Sequence, residues 1–223
     1  HTFPVKNFSV VLTYYGRPDT LNRALYCLAQ QTYEHFEVVP IFDGHCSAGL
    51  QLYEQFCEVM QSSKYRPPIV FEGGCREHHG NACRQHALSS CGGDYVLWYG
   101  HDNLIDKDFL QTHAQQVRDG MCISVVGQRH FSNRERTIFG FCPGDRTSYR
   151  GQLPLSGVDK DGLKIGALDL LQYAVPLYAA KRWAFTEEHW STYEADWLTF
   201  ASIRKNEPDL EVRVNPVPVC GHF

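Results

Sequence analysis

The first hundred residues alternate between short unbroken apolar runs and longer stretches in which apolar positions return every three or four residues. "FSVVLTYY" (Phe8–Tyr15) is a run of the first kind and predicts a buried strand. "PDTLNRALYCLAQQT" follows it, with Pro18 and Asp19 at a helix start and Leu21, Ala24, Leu25 and Leu28 on one face. "FEVVPIFD" (Phe36–Asp43) predicts a second strand with a turn at Gly44, and "LQLYEQFCEVM" a helix with Leu52, Phe56 and Val59 on its apolar stripe. "PPIVFEG" and "NACRQHALSSC" make a third strand and a short helix closed by Gly92 and Gly93. The fourth strand, "DYVLWYGHDNLI", runs without a break into Gly100, His101, Asp102 and Asn103.

Strands separated by helices of this length imply parallel pairing through right-handed crossovers, hence an α/β fold: a mostly parallel central sheet with helices on both faces. Ligands of such sheets sit beyond the carboxyl ends of the strands. Thr13, Asp43 and the His101-Asp102-Asn103 group all lie at such ends and are expected to converge.

Regularity continues through a helix at "KDFLQTHAQQV" and a strand at "MCISVVG", then fails. Gln128 to Lys164 is rich in Arg, Gly, Asp and Ser and predicts a long loop or several short pieces, the usual form of a lid or binding loop. "YAVPLYAA" predicts a return strand, "EADWLTFASIRK" a helix and "LEVRVNPVPV" a last strand.

Composition narrows the partners. A chain of 223 residues that is 43% hydrophobic suits one globular domain, residues 1–223, and both its ends suggest a module of a longer protein. The net charge of −4, with no basic cluster interleaved with aromatics, argues against nucleic acid. No apolar run approaches the ~20 residues of a spanning helix, so the expected location is cytoplasmic, with membrane attachment only at the periphery, through the acceptor or through segments outside the sequence. Nine cysteines without a C-x-x-C pair favour buried thiols in a reducing compartment over a disulfide framework.

"FSVVLTYYGRPDTLNRALYCLAQQTYEHFEVVPIFDG" resembles the opening of family 2 glycosyltransferases, inverting, metal-dependent enzymes with the GT-A fold. Thr13, Arg17, Gln31-Thr32-Tyr33, Phe36-Glu37 and Asp43-Gly44 fall in register with the family's opening motifs. Arg84, Gly93 and Tyr95 hold their places in "CRQHALSSCGGDYVLWYGHDNLI", which is similar to the segment ending in Asp-x-Asp-Asp. The resemblance covers Phe8 to about Leu110 and implies a nucleotide-diphospho-sugar transferase, with residues 1–110 binding the nucleotide-sugar and 111–223 the acceptor.

The family's chemistry then assigns expectations. Thr13, Tyr15, Arg17, Asp43, Arg84, His101 and Asp102 are nucleotide-binding candidates, Asp43 for a base edge such as the uracil imide. Asp102 is implied as ligand to a divalent cation, Mn²⁺ or Mg²⁺, on the diphosphate, and His222 is a second candidate ligand. Gly100-His101-Asp102-Asn103 departs from the family in lacking the first carboxylate, so the cation is expected to bind weakly without nucleotide. Asp196, with Glu194 as the alternative, matches the general base that deprotonates the acceptor hydroxyl.

Blander roles compete. Asp43 and Asp102 suit turn acids, Arg84 a solvated helix residue, His222 a tail imidazole and Asp169 with Gln172 a helix or turn cap instead of an acceptor contact. His78-His79 and the Asp145, Arg146, Arg150 group read as surface loop. The expected activity is transfer of a sugar from a nucleotide-sugar, a UDP-sugar favoured, to a hydroxyl of a glycan or lipid-linked acceptor. The alternative is a catalytically silent GT-A module that binds nucleotide or glycan without turnover.

Overall fold

The computed structural model of the chain describes residues 5–72, 80–131, 138–142, 168–187 and 195–222, with the backbone alone at 130–131, 138–142 and 222. Glu194, His78, His79, Asp145, Arg146 and Arg150 lie outside the described residues, as does the side chain of His222.

The four apolar runs form strands β1 (Phe8–Tyr14), β2 (Phe36–Asp43), β3 (Ile69–Phe71) and β4 (Tyr95–Gly100), paired in parallel in the order β3-β2-β1-β4. All seven residues of β1 are buried because helices cover both sides of the sheet. Alternation along the strands sends Val10, Leu12, Tyr14, Leu97 and Tyr99 into one core layer and Val11, Val39, Ile41, Val96 and Trp98 into the other.

Helix α1 (Pro18–Ala29) opens on Pro18 and buries Leu21, Ala24, Leu25 and Leu28, the face its spacing predicts. Helix α2 (Ser47–Met60) is turned from the predicted stripe: Gly49 and Tyr53 are buried, Leu52 and Phe56 half-buried, and Val59 is 82% exposed. The cause is a close approach. A Cβ on Gly49 would stand 2.4 Å from the Tyr14 ring, so the helix presents its side-chain-free position to β1, and the Tyr53 hydroxyl donates to the Arg66 carbonyl.

Helix α3 (Asn81–Ala87) precedes β4, and beyond β4 come β5 (Leu104–Ile105), helix α4 (Phe109–Val117) and strand β6 (Cys122–Phe131). Strand β6 runs well into the segment expected to be loop, and β7 (Ile138–Cys142) pairs antiparallel with it. The polar Gln128-Arg129-His130 run is strand because β9 (Glu211–His222) pairs with it in parallel and Arg129 meets the Asp106 carboxylate at 2.9–3.0 Å. "YAVPLYAA" splits at Pro176 into β8 (Tyr173–Pro176) and helix α5 (Leu177–Trp183), and α6 (Ala195–Asn206) precedes β9. The sheet order is β3-β2-β1-β4-β8-β6-β9-β5, and its long pairings are parallel while the antiparallel ones are short.

Among the described residues Cys27, Cys46, Cys57, Cys91, Cys122 and Cys220 are not disulfide-bonded, and the last three are buried. Cys83 is disulfide-bonded, a departure from the expected thiols. Among the described residues no helix is long and apolar enough to cross a membrane.

Candidate active site

Strand β1 has β2 on one side and β4 on the other, so the chain reverses its direction of travel across the sheet there. A crevice opens beyond the carboxyl ends at such a reversal. Register sets the ends level: Thr13 pairs with Ile41 and with Gly100, and the His101 amide donates to the Thr13 carbonyl at 3.0 Å. A cavity of about 470 Å³ sits there, lined by Thr13, Tyr14, Tyr15, Arg17, Asp43, Gly80, Arg84, Gly100, His101 and Asp102. All seven nucleotide-binding candidates are in that lining. An adjoining cavity of about 930 Å³ shares Tyr15, Arg17 and Asp43 and continues along the start of α2.

The polar groups of the wall are held in a chain. Thr20 Oγ1 lies 2.8 Å from the Arg17 carbonyl and 2.6 Å from His101 Nδ1. A carbonyl accepts only, so the single hydroxyl proton of Thr20 goes to Arg17. His101 Nδ1 must then carry its own proton and donate to Thr20, which leaves Nε2 as the ring's lone-pair nitrogen in neutral imidazole. Burial lowers the His101 pKa, partly opposed by the Asp102 carboxylate, so the neutral form is favoured. Arg17 Nη2 reaches Asp102 Oδ2 at 2.8 Å, and Arg23 Nη2 donates to the Asp102 carbonyl at 3.1 Å. Thr13 Oγ1 is buried with no hydrogen-bond partner among the described residues. Arg84 donates to Asn81 Oδ1 at 2.8 Å and lies 6.0 Å from the centre of the Phe185 ring.

Thr20 and Arg23 escaped the sequence reading. They stand three and six residues after Arg17 on the first turns of α1, so the helical period itself was the signal that they face the strand ends. Other motif residues turn out to staple the fold. Gln31 donates to the Asp106 carbonyl at 2.8 Å and accepts from the Leu110 amide at 3.0 Å, Tyr33 donates to the Lys6 carbonyl, and Glu37 accepts from Ser9 and from the Gly92 amide.

Asp196, in the first turn of α6, is not among the cavity-lining residues. Its carboxylate accepts from the Leu170 amide at 3.4 Å, and its carbonyl accepts from the Tyr173 hydroxyl at 2.8 Å. Tyr173 is fully buried and its pKa stands well above 10, chiefly from desolvation. The Asp196 and Asp169 carboxylates raise it further, and the Arg84 guanidinium opposes them. Asp169 and Gln172 resolve as a cap: the Asp169 side chain accepts from the Leu171 amide and Gln172 Oε1 from the Asp169 amide.

The family model described as Glycosyl transferase family 2 matches residues 9–156, more than half of the chain. The chain belongs to that family. Glycosyltransferase GlyA of Streptococcus pneumoniae serotype 4 (strain ATCC BAA-334 / TIGR4) is 24% identical to this family 2 domain over 134 residues, 60% of this chain and 18% of GlyA. The crystal structure of S. aureus TarS 1–349 in complex with UDP superposes with a TM-score of 0.73 at 16% identity, covering 97% of this chain and 60% of TarS 1–349. Mannosyltransferase PcManGT from Pyrobaculum calidifontis, in complex with GDP-Man and Mn²⁺, gives a TM-score of 0.66 at 12% identity, covering 97% of this chain and 56% of PcManGT. The fold shared with these two structures is GT-A. This domain therefore spans less than two thirds of each of these relatives.

A GT-A domain raises the matter of a divalent cation. Among the described residues no group of three or more His, Cys, Asp or Glu side chains could hold a metal ion. At the end of β4 the one carboxylate among the described residues is that of Asp102, and a Cβ added at Gly100 would stand 3.2 Å from Asp102 Oδ1 and 3.1 Å from Asn103 Nδ2, which leaves little room for a further carboxylate. One carboxylate with substrate phosphates is a donor set that Mg²⁺ accepts, so the residues fit a cation that arrives with a diphosphate.

Proposed function

We propose that this family 2 domain is an inverting glycosyltransferase that takes a sugar from a nucleoside diphosphate sugar, UDP-linked by preference, and places it on a hydroxyl of a glycan or lipid-linked acceptor. The observation that carries the reading is the meeting of Thr13, Asp43, Arg84 and Asp102, from four distant segments, around one cavity at the carboxyl edge of the sheet. The UDP complex of TarS, on the same fold, favours uridine. Residues 1–110 would carry the donor and residues 111–223 the acceptor.

In this reading the Asp43 carboxylate accepts from the base edge, and the unpartnered Thr13 hydroxyl meets base or ribose. Arg84 and Arg17 bring positive charge to the diphosphate, where charge grows as the sugar–phosphate bond breaks. Asp102, with His222 as the second candidate ligand, would hold a divalent cation, which would supply Lewis-acid neutralisation of the developing charge. Asp196, with Glu194 as the alternative, takes the proton of the acceptor hydroxyl while its oxygen bonds to the anomeric carbon from the face opposite the diphosphate. The diphosphate leaves with the bonding electron pair, and the configuration inverts.

Gly100 in place of the first carboxylate favours a second reading, a nucleotide-binding module without turnover. Donor hydrolysis separates the two. Release of UDP from a UDP-sugar, lost in Asp102→Ala, supports the transferase. UDP binding without release from any UDP-sugar supports the silent module.

A further inference from the structure

Two opposite charges in the cavity wall already hold each other. Arg17 Nη2 stands 2.8 Å from Asp102 Oδ2, with the side chains 57% and 42% exposed, so the pair lies at the cavity mouth and is open to exchange. The two ends of Arg17 are fixed very differently. Its carbonyl is tied by the Thr20 hydroxyl at 2.8 Å and by the Leu21 amide at 3.2 Å, while its guanidinium rides on a long exposed stem. Asp102 is likewise fixed by its backbone, through Arg23, with a carboxylate free to change partners.

Taken together these features make a switch. We infer that Arg17 is a tethered counter-ion that closes Asp102 until a diphosphate and a divalent cation arrive together. The inference rests on reading the cavity as a donor site. A cation arriving alone must displace a guanidinium from the carboxylate oxygen and then sit beside that positive charge. A diphosphate arriving alone must lie next to the Asp102 carboxylate. When both arrive, the cation takes Asp102 and the guanidinium moves to the phosphate oxygens, so one repulsion on each side becomes one attraction. Exposed ion pairs contribute up to about 1 kcal/mol, about a fivefold effect on the affinity of a ligand that must break them. By linkage, the same factor by which cation favours diphosphate is the factor by which diphosphate favours cation.

The test is a pair of binding titrations with single substitutions, none needing turnover. Mn²⁺ binding without nucleotide is read by electron paramagnetic resonance, and UDP binding in EDTA by calorimetry. Arg17→Gln should bind Mn²⁺ alone about fivefold more tightly than the wild type, yet bind metal-free UDP about tenfold more weakly, since a charge-assisted hydrogen bond to phosphate is lost. Asp102→Asn should do the reverse, with metal-free UDP bound several-fold more tightly and Mn²⁺ bound less. Both sites are exposed, and equal melting temperatures establish that each variant is folded. Equal or weaker Mn²⁺ binding by Arg17→Gln, including no binding by either protein, overturns the switch. Failure of wild-type UDP binding in every condition overturns instead the donor-site reading, on which the Mn²⁺ titration does not depend.

Discussion

His113 is buried without a route for its charge. It is 0% exposed, its ring packs edge-on against Phe109 at 4.9 Å, and Nδ1 bonds Ser124 Oγ at 2.7 Å while Nε2 has no partner. Desolvation lowers its pKa from 6.5 to about 3. The folded chain therefore keeps this imidazole neutral where the unfolded chain takes up a proton, so the native state loses stability as pH falls below 6.5, down to about pH 3. Each unit is worth about 1.4 kcal/mol, which gives about 2 kcal/mol at pH 5. That is a large fraction of the ~5–15 kcal/mol that holds a domain folded. His113→Asn keeps a polar atom near Ser124 and removes the titration. Urea unfolding at pH 7 and pH 5 should show the wild type losing about 2 kcal/mol more than the variant over this interval, whatever the offset between them at pH 7. Parallel losses in the two proteins would refute the buried neutral imidazole. His101 shifts in the same direction in both proteins and drops out of the comparison.

Other expectations bear on the site and its scaffold. Asp196→Asn should leave UDP affinity within about twofold and lower the transfer rate by a factor of roughly 10² to 10⁴, as loss of a general base does; transfer at the native rate, measured with any competent donor and acceptor, removes Asp196 from that role. Gly49→Ala should destabilise the fold by about 1–3 kcal/mol in urea unfolding, because the new methyl collides with the Tyr14 ring. Unchanged stability would mean that α2 does not rest on β1 in this way. Thr20→Val should weaken UDP binding several-fold by releasing His101 and the Arg17 carbonyl, with little change in the melting temperature if the hydroxyl orients rather than supports. An unaltered UDP affinity counts against that orienting role.

The first hundred residues were readable in the sequence for a physical reason. Strands buried on both faces are written as unbroken apolar runs, so β1, β2 and β4 and the polar residues at their ends stood out, and the α1 face followed from Leu21, Ala24, Leu25 and Leu28. Helix α2 was misread because Leu, Tyr and Phe at 52, 53 and 56 support two overlapping stripes, and only the contact of Gly49 with Tyr14 chooses between them. The polar end of β6 was hidden because its pairing partners in β9 lie some ninety residues away and Arg129 is neutralised by Asp106. Chemistry was harder than position. Nothing in the spacing told that Gln31 and Glu37 staple backbone while Thr13 and Asp43 line a cavity, nor that Cys83 forms a disulfide. The His101 tautomer needed the Thr20 hydroxyl and its two neighbours in space.

The central claim is that the cavity between the ends of β1, β2 and β4 receives a uridine diphosphate sugar. Its most direct measurement is calorimetric titration of UDP into the wild type and Asp43→Ala, each with Mn²⁺ present. Saturable binding at one site is expected in the wild type, with a loss of about tenfold in the variant, the size of one hydrogen bond to a charged acceptor. Absence of binding in the wild type, or identical dissociation constants in the two proteins, would contradict it.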